Sequence, residues 1–91
     1  MRYFRSAAFR RWYQHLQVSK QAQVDEALLK LAQAFEARQI PFGLGLKHLQ
    51  RGVWEIRMDL SERILFERSG DVVHFLLAGS HDEVKRYLKN R

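Results

Sequence analysis

Apolar and charged residues alternate in three short stretches of the second half of the chain: Trp54-Glu55-Ile56-Arg57, Arg63-Ile64-Leu65-Phe66, and Val72 to Ala78. Successive side chains of a strand point to opposite faces, so Trp54, Ile56 and Met58 fall on one side and Glu55, Arg57 and Asp59 on the other. The pattern predicts an antiparallel sheet with one apolar face and one ionic face carrying Glu55, Arg57, Asp59, Arg63, Glu67 and His74. A three-residue turn over Leu60-Ser61-Glu62 keeps apolar beside apolar, pairing Asp59 with Arg63, Met58 with Ile64 and Ile56 with Phe66. A two-residue turn would set Arg57 beside Ile64. Ser69-Gly70 reads as a tight hairpin turn that pairs Phe66 with Val73, Ile64 with Phe75 and Leu65 with His74.

The first half has a helical period. After a short edge strand at Tyr3-Phe4-Arg5, Ser6 is placed to cap a helix from Ala7 to about Gln17, in which Phe9, Trp12, Tyr13 and Leu16 form one stripe. Ser19 is placed to cap a second helix to roughly Ala37, burying Val24, Ala27, Leu28, Leu31, Ala34 and Phe35. Pro41 biases Ile40 out of the helical basin, so Ile40-Pro41-Phe42 ends the helical region, and Gly43 to His48 reads as a flexible loop. At the other end Ser80 and Glu83 make a capping box for a short helix packed through Val84, Tyr87 and Leu88, with Lys89 and Arg91 suiting its C-terminal dipole.

A helix pair joined by so short a link is an antiparallel hairpin, and its apolar face needs the cover that the sheet supplies. The expected architecture is therefore α+β in a single domain over residues 1–91: a short N-terminal strand, a helix hairpin packed on a small, mainly antiparallel sheet, and a short C-terminal helix. The expected core is Phe9, Trp12, Leu16, Leu28, Leu31, Phe35, Trp54, Ile56, Ile64, Phe66, Val73, Phe75 and Leu77.

Charge sharpens the picture. The net charge of +6 resides in residues 1–51, with nine Lys/Arg against three Asp/Glu, while residues 52–91 hold seven of each. A basic helical half suits a polyanionic partner such as RNA, or an acidic protein segment. The absence of cysteine excludes disulfides, thiolate zinc sites and cysteine nucleophiles. No apolar run approaches the roughly 18 residues of a membrane span, and Met1-Arg2-Tyr3 opens no signal-peptide core, so the expected location is the cytoplasm. Gly43-Leu44-Gly45 is no dinucleotide fingerprint, since a third glycine and a preceding strand are missing. Neither a metal nor an organic cofactor is expected.

Phe9-Arg10-Arg11-Trp12, Gly45-Leu46-Lys47-His48-Leu49, Gly52-Val53-Trp54-Glu55-Ile56-Arg57, Arg63-Ile64-Leu65-Phe66 and Gly79-Ser80-His81-Asp82 leading to Tyr87-Leu88 occur in this order over nearly the whole chain. Together they resemble the RelE/ParE superfamily of toxins from toxin–antitoxin systems. The resemblance implies a helix hairpin on one sheet face and a cognate antitoxin as partner. For the RelE-like branch it implies metal-independent cleavage of messenger RNA at the ribosome. For the ParE-like branch it implies inhibition of DNA gyrase without RNA chemistry, and a third possibility is an inactive relative that only binds an antitoxin.

RNA cleavage of this kind needs a base for the 2′-hydroxyl, an acid for the departing 5′-oxygen and cations beside the phosphate. By resemblance Arg63 holds the phosphate; the structural alternative is a cross-strand pair with Asp59. His81, by resemblance an active-site residue and by chemistry suited to be an acid near neutrality, has an ordinary first-turn helix position as its alternative. Lys47 and His48 match the family's basic segment, as base or phosphate contacts, against a solvated loop. Arg57 shares the ionic face. Glu55 and Glu67 would neighbour each other across strands, an arrangement that calls for an arginine or substrate between them, and either is a candidate base. Tyr87 matches a position used for stacking or proton donation, yet it lies on the packing stripe of its helix. Arg51, His48, Arg10 and Arg11 are the expected RNA contacts; His74, Trp12, Tyr13 and Trp54 are assigned to structure.

Overall fold

The computed structural model describes residues 1–41 and 43–90. Along the chain run β1 (Arg2–Arg5), α1 (Ala7–Gln14), α2 (Val18–Ala37), β2 (Lys47–Gln50), β3 (Val53–Arg57), β4 (Glu62–Ser69), β5 (Val72–Ser80) and α3 (His81–Lys89). The five strands form one sheet in the order β1-β5-β4-β3-β2, antiparallel except where β1 lies parallel to β5. This is the expected α+β architecture.

Helix ends follow their local chemistry in two of three cases. Ser6 caps α1 by accepting from the Phe9 amide at 3.0 Å. Ser80 and Glu83 form the full capping box of α3, whose basic last turn consists of Arg86 and Lys89 among the described residues; Arg91 and Phe42 lie outside them. Ser19 does not cap α2. That helix starts at Val18 with Gln17 at the cap position and no side-chain cap bond, because α1 ends early, at Gln14, leaving a three-residue link. Gln21 Nε2 donates to the Tyr13 carbonyl at 2.9 Å and secures that link. At its far end α2 stops at Arg38, held in the left-handed region with φ 55°.

The helix hairpin packs on the face predicted for it. Phe9, Val24, Ala27, Leu31 and Ala34 bury against Ile56, Ile64, Phe66, Val73, Phe75 and Ala78, with Trp12, Leu16, Leu28, Phe35 and Trp54 partly buried around them. Each fully buried aliphatic or aromatic side chain here contributes about 1.5–3 kcal/mol relative to exposure.

Two registers differ from expectation. Trp54, Ile56 and Arg57 lie opposite Phe66, Ile64 and Arg63, a shift of two positions that leaves every face unchanged because the side-chain period is two. Its cause is a wider turn, closed by Asp59: its Oδ1 accepts from the Ser61 and Glu62 amides, both at 2.8 Å, so Asp59 leaves the ladder and does not pair with Arg63. Lys20 of α2 anchors the turn through Asp59 and Glu62. These contacts, the backbone amides first, hold the Asp59 carboxyl well below the usual carboxylate range.

The β4–β5 hairpin turns over Gly70-Asp71 rather than Ser69-Gly70, with Gly70 at φ 58°, and pairs Phe66 with Phe75 and Glu67 with His74. Beyond Phe75 the strand carries one extra residue. Leu65 faces Leu77, Ile64 faces Ala78 and Arg63 faces Gly79, so Leu76 bulges out of register. The bulge inverts the faces of the rest of β5: Ala78 joins the hairpin core, and Leu77, expected there, packs on the other side.

That other side is not wholly ionic. Val53, Leu65, Leu76 and Val84 form a second small core under α3, flanked by Leu49, Leu77, Tyr87 and Leu88. Nor is the segment before the sheet a flexible loop. Leu44 is buried in the hairpin core, its carbonyl accepts from the Arg57 amide at 2.9 Å, and Lys47 and His48 belong to the edge strand β2.

Candidate active site

Outside the area covered by α3, the second face presents Glu55 and Arg57 of β3, Arg63 of β4 and Lys47 of β2. The ladder brings them together: Lys47 lies opposite Glu55, and Arg57 opposite Arg63. Arg63 Nε donates to Glu55 Oε2 at 3.1 Å, with side-chain exposures of only 14% and 9%. The predicted neighbour relation of Glu55 and Glu67 is looser, since Glu55 faces Leu65 and Glu67 faces Val53; the arginine the acidic pair called for sits at Glu55.

The electrostatics of this corner are unbalanced. Two arginines directly across an antiparallel ladder repel each other, Lys47 adds a third cation, and Glu55 is the buried carboxylate among them. Arg63 Nη1 is buried with no hydrogen-bond partner among the described residues. A buried donor on a cation without an acceptor is costly, and because that nitrogen is covered, the side chain must shift outward to present it to an anion at the mouth of the site. Bidentate capture of phosphate oxygens is what a guanidinium fork does best.

Local backbone makes room for this cluster. Gly45, at φ 68°, runs beside Arg57, where a Cβ would sit 2.7 Å from the Arg57 Cβ. Gly79, the partner of Arg63, leaves space for the Glu83 carboxylate, which a Cβ would approach to 3.0–3.1 Å. Both glycines let neighbouring groups pack closely at the edges of the cluster, and their signal in sequence is only that each adjoins a basic or capping motif. At the open edge Arg57 also borders a cleft of about 280 Å³ reaching Glu26 and Lys30 of α2.

His81 is the first residue of α3, exposed, two positions after Gly79 and therefore beside the Arg63 end of β4. Tyr87 is half-buried against the second core. His48 alternates onto the hairpin face, where its ring lies 4.5 Å from that of Trp54, so it does not join Lys47. Arg51 is exposed in the β2–β3 turn at the opposite end of β3 from Arg57. Arg10 and Arg11 are exposed on α1, behind the sheet. The cluster is thus Lys47, Glu55, Arg57 and Arg63 with His81 adjoining, while His48, Arg51, Arg10 and Arg11 lie apart. Among the described residues, no group of three or more His, Asp or Glu is arranged to hold a metal ion.

No family model and no curated protein matches the sequence. The fold does match solved structures. A YoeB/ParE toxin from Agrobacterium tumefaciens is 16% identical over 89% of this chain and 99% of that one, with a TM-score of 0.67. The RelB–RelE antitoxin–toxin complex from Methanococcus jannaschii gives 15%, 92%, 96% and 0.64 in the same order. The E. coli DinJ–YafQ complex gives 14%, 92%, 98% and 0.64. The chain has the fold of the RelE/ParE toxins, as the resemblance of its motifs implies.

Proposed function

We propose that this chain is the toxin of a toxin–antitoxin pair and acts as an endoribonuclease on messenger RNA. The observation that carries the reading is the buried Glu55–Arg63 pair with its unsatisfied Arg63 Nη1, set among Arg57 and Lys47. In this reading Arg63, helped by Arg57 and Lys47, grips the scissile phosphate. Glu55 takes the proton of the 2′-hydroxyl, whose oxygen attacks phosphorus. His81 gives a proton to the departing 5′-oxygen, leaving a 2′,3′-cyclic phosphate and a free 5′-hydroxyl. Acid and base groups contribute on the order of 10² to 10⁴-fold each, and oriented cations a comparable amount. Tyr87 serves packing.

The partners follow from the same reading. Toxins of this fold are solved in complex with RelB and DinJ, and the cationic hairpin half of this chain suits an acidic antitoxin segment as well as ribosomal RNA. Among the described residues no helix is long and apolar enough to cross a membrane.

Induced expression of the wild type and of His81→Ala, with primer extension on a reporter transcript and gel analysis of plasmid supercoiling, tests the reading. Cleavage ladders with the wild type and their loss in the variant are expected. Arrested supercoiling with an intact transcript would replace it with the gyrase reading, and binding of an antitoxin with neither effect would mark an inactive relative.

A further inference from the structure

The bulge at Leu76 decides what stands opposite Arg63. An unbroken Phe66–Phe75 register would set Ala78 across from Arg63; the one extra residue sets Gly79 there instead, with Ser80, the cap of α3, opposite Glu62. The bulge has a clasp outside the hairpin. Ser6 donates its backbone amide to the Phe75 carbonyl at 2.9 Å and its hydroxyl to the Leu76 carbonyl at 2.7 Å. Successive carbonyls of a regular strand point to opposite sides, so one residue can take both only where the strand bulges. Meanwhile the Ser6 Oγ accepts from the Phe9 amide at 3.0 Å, so the same hydroxyl joins α1, β1 and the bulge.

We infer that Ser6 is a positioning residue of the proposed nuclease site: its hydroxyl, by holding the Leu76 carbonyl, fixes the register that sets Gly79 against Arg63 and His81 beside them. It touches no substrate; it sits on the hairpin side of the sheet's β1 edge, whereas Arg63 belongs to the α3 side. The inference rests on the nuclease reading for its catalytic consequence but not for its structural one.

The hydroxyl's two roles can be separated by substitution. Asp at an N-cap accepts from the helix amide but cannot donate, and Gly is tolerated there with no hydroxyl at all; Thr keeps both roles. In single-turnover cleavage of a reporter transcript on purified translating ribosomes, Ser6→Asp and Ser6→Gly are expected to lower the maximal rate about tenfold or more, as small misplacements of reacting groups do. KM should stay within about twofold, and Ser6→Thr should restore the rate. Amide NMR should show Gly79 and His81 shifted in Ser6→Asp and Ser6→Gly and unmoved in Ser6→Thr. Wild-type rates in both donor-less variants, or a loss confined to KM, would overturn the inference. If the wild type cleaves nothing, the nuclease reading falls by itself, and the positioning claim stands or falls on the Gly79 and His81 shifts. If Ser6→Asp fails to fold, Ser6→Gly carries the same two readouts.

Discussion

On the hairpin side of the sheet, helices α1 and α2 cover the apolar face through Phe9, Val24, Ala27, Leu31 and Ala34, leaving a cleft of about 480 Å³ beside Phe35, Trp54 and Phe66. On the other side a nine-residue helix covers only Val53, Leu65 and Leu76 through Val84, leaving the Arg57 and Arg63 end open. Arg63 and Ile64 are adjacent in sequence, yet one reaches the open ionic corner and the other a fully buried core. The difference shows how one sheet divides its labour: a thick apolar layer behind it holds a charged corner that taxes the fold. A buried ion pair gains little net stability, because desolvation offsets attraction.

The sharpest test of that contrast is Arg63→Ala, which removes the proposed phosphate grip and strands a buried carboxylate. Stability should fall by about 3–5 kcal/mol, measured as the urea midpoint, and transcript cleavage should vanish. Adding Glu55→Gln to Arg63→Ala should recover much of the stability and none of the activity. Loss of toxicity in Arg63→Ala alone is therefore a poor assignment of chemistry.

Ile64→Ala and Leu65→Ala compare the two cores directly. Both should cost about 2–5 kcal/mol; if Leu65→Ala were silent in urea unfolding, the core under α3 would be a mere surface contact. Gly45→Ala combines left-handed backbone with the contact at Arg57, and should cost about 1–3 kcal/mol, read as a Tm drop accompanied by slower cleavage.

His81→Ala is expected to leave stability within about 0.5 kcal/mol, its side chain being exposed, while cleavage falls about 10²-fold. Equal loss of both would put His81 on the structural side of the contrast.

The smallest effect belongs to the Lys20–Asp59–Glu62 staple. Asp59, with a depressed pKa, contributes in full above about pH 4 and loses its contribution as pH falls through its lower native value. Lys20 is raised, chiefly by Glu62, so its contribution holds below about pH 10 and is lost as pH rises through its native value. Asp59→Ala should flatten the acid limb of Tm against pH and leave the interval between pH 5 and 9 level.

Faces were legible in the sequence and registers were not. Alternation assigns Arg57, Arg63 and His74 to one side and Ile56, Ile64 and Phe66 to the other under the expected and the observed registers alike, since these differ by two and a shift of two keeps parity. The bulge was hidden because Leu76-Leu77-Ala78-Gly79 is a continuous apolar and small run, which carries no parity to read. Strand β2 was masked by the glycines before it and by its four-residue length. Of the site, Arg63, Glu55, Arg57 and Lys47 followed from alternation and resemblance together. The cross-strand pair of Arg63 with Asp59 that the sequence offers does not form, because Asx-turn capture competes with ladder pairing and leaves no mark on the periodicity. Lys47 and His48 read as one basic pair in sequence because four residues are too few to show the alternation of β2, on which neighbours face apart.

Strand β1 closes the sheet against β5, and the Ser6 hydroxyl reaches a carbonyl 70 residues further along. Contacts so remote in sequence form late and slow the folding of the whole. During synthesis the hairpin helices and β2 to β4 emerge with Arg63 in place but without Gly79, α3 or the edge strand's partner. Until the ribosome has extended the chain past β5, the corner around Arg63 has one wall missing. The proposed site is thereby kept from assembling until β5 and α3 have been made.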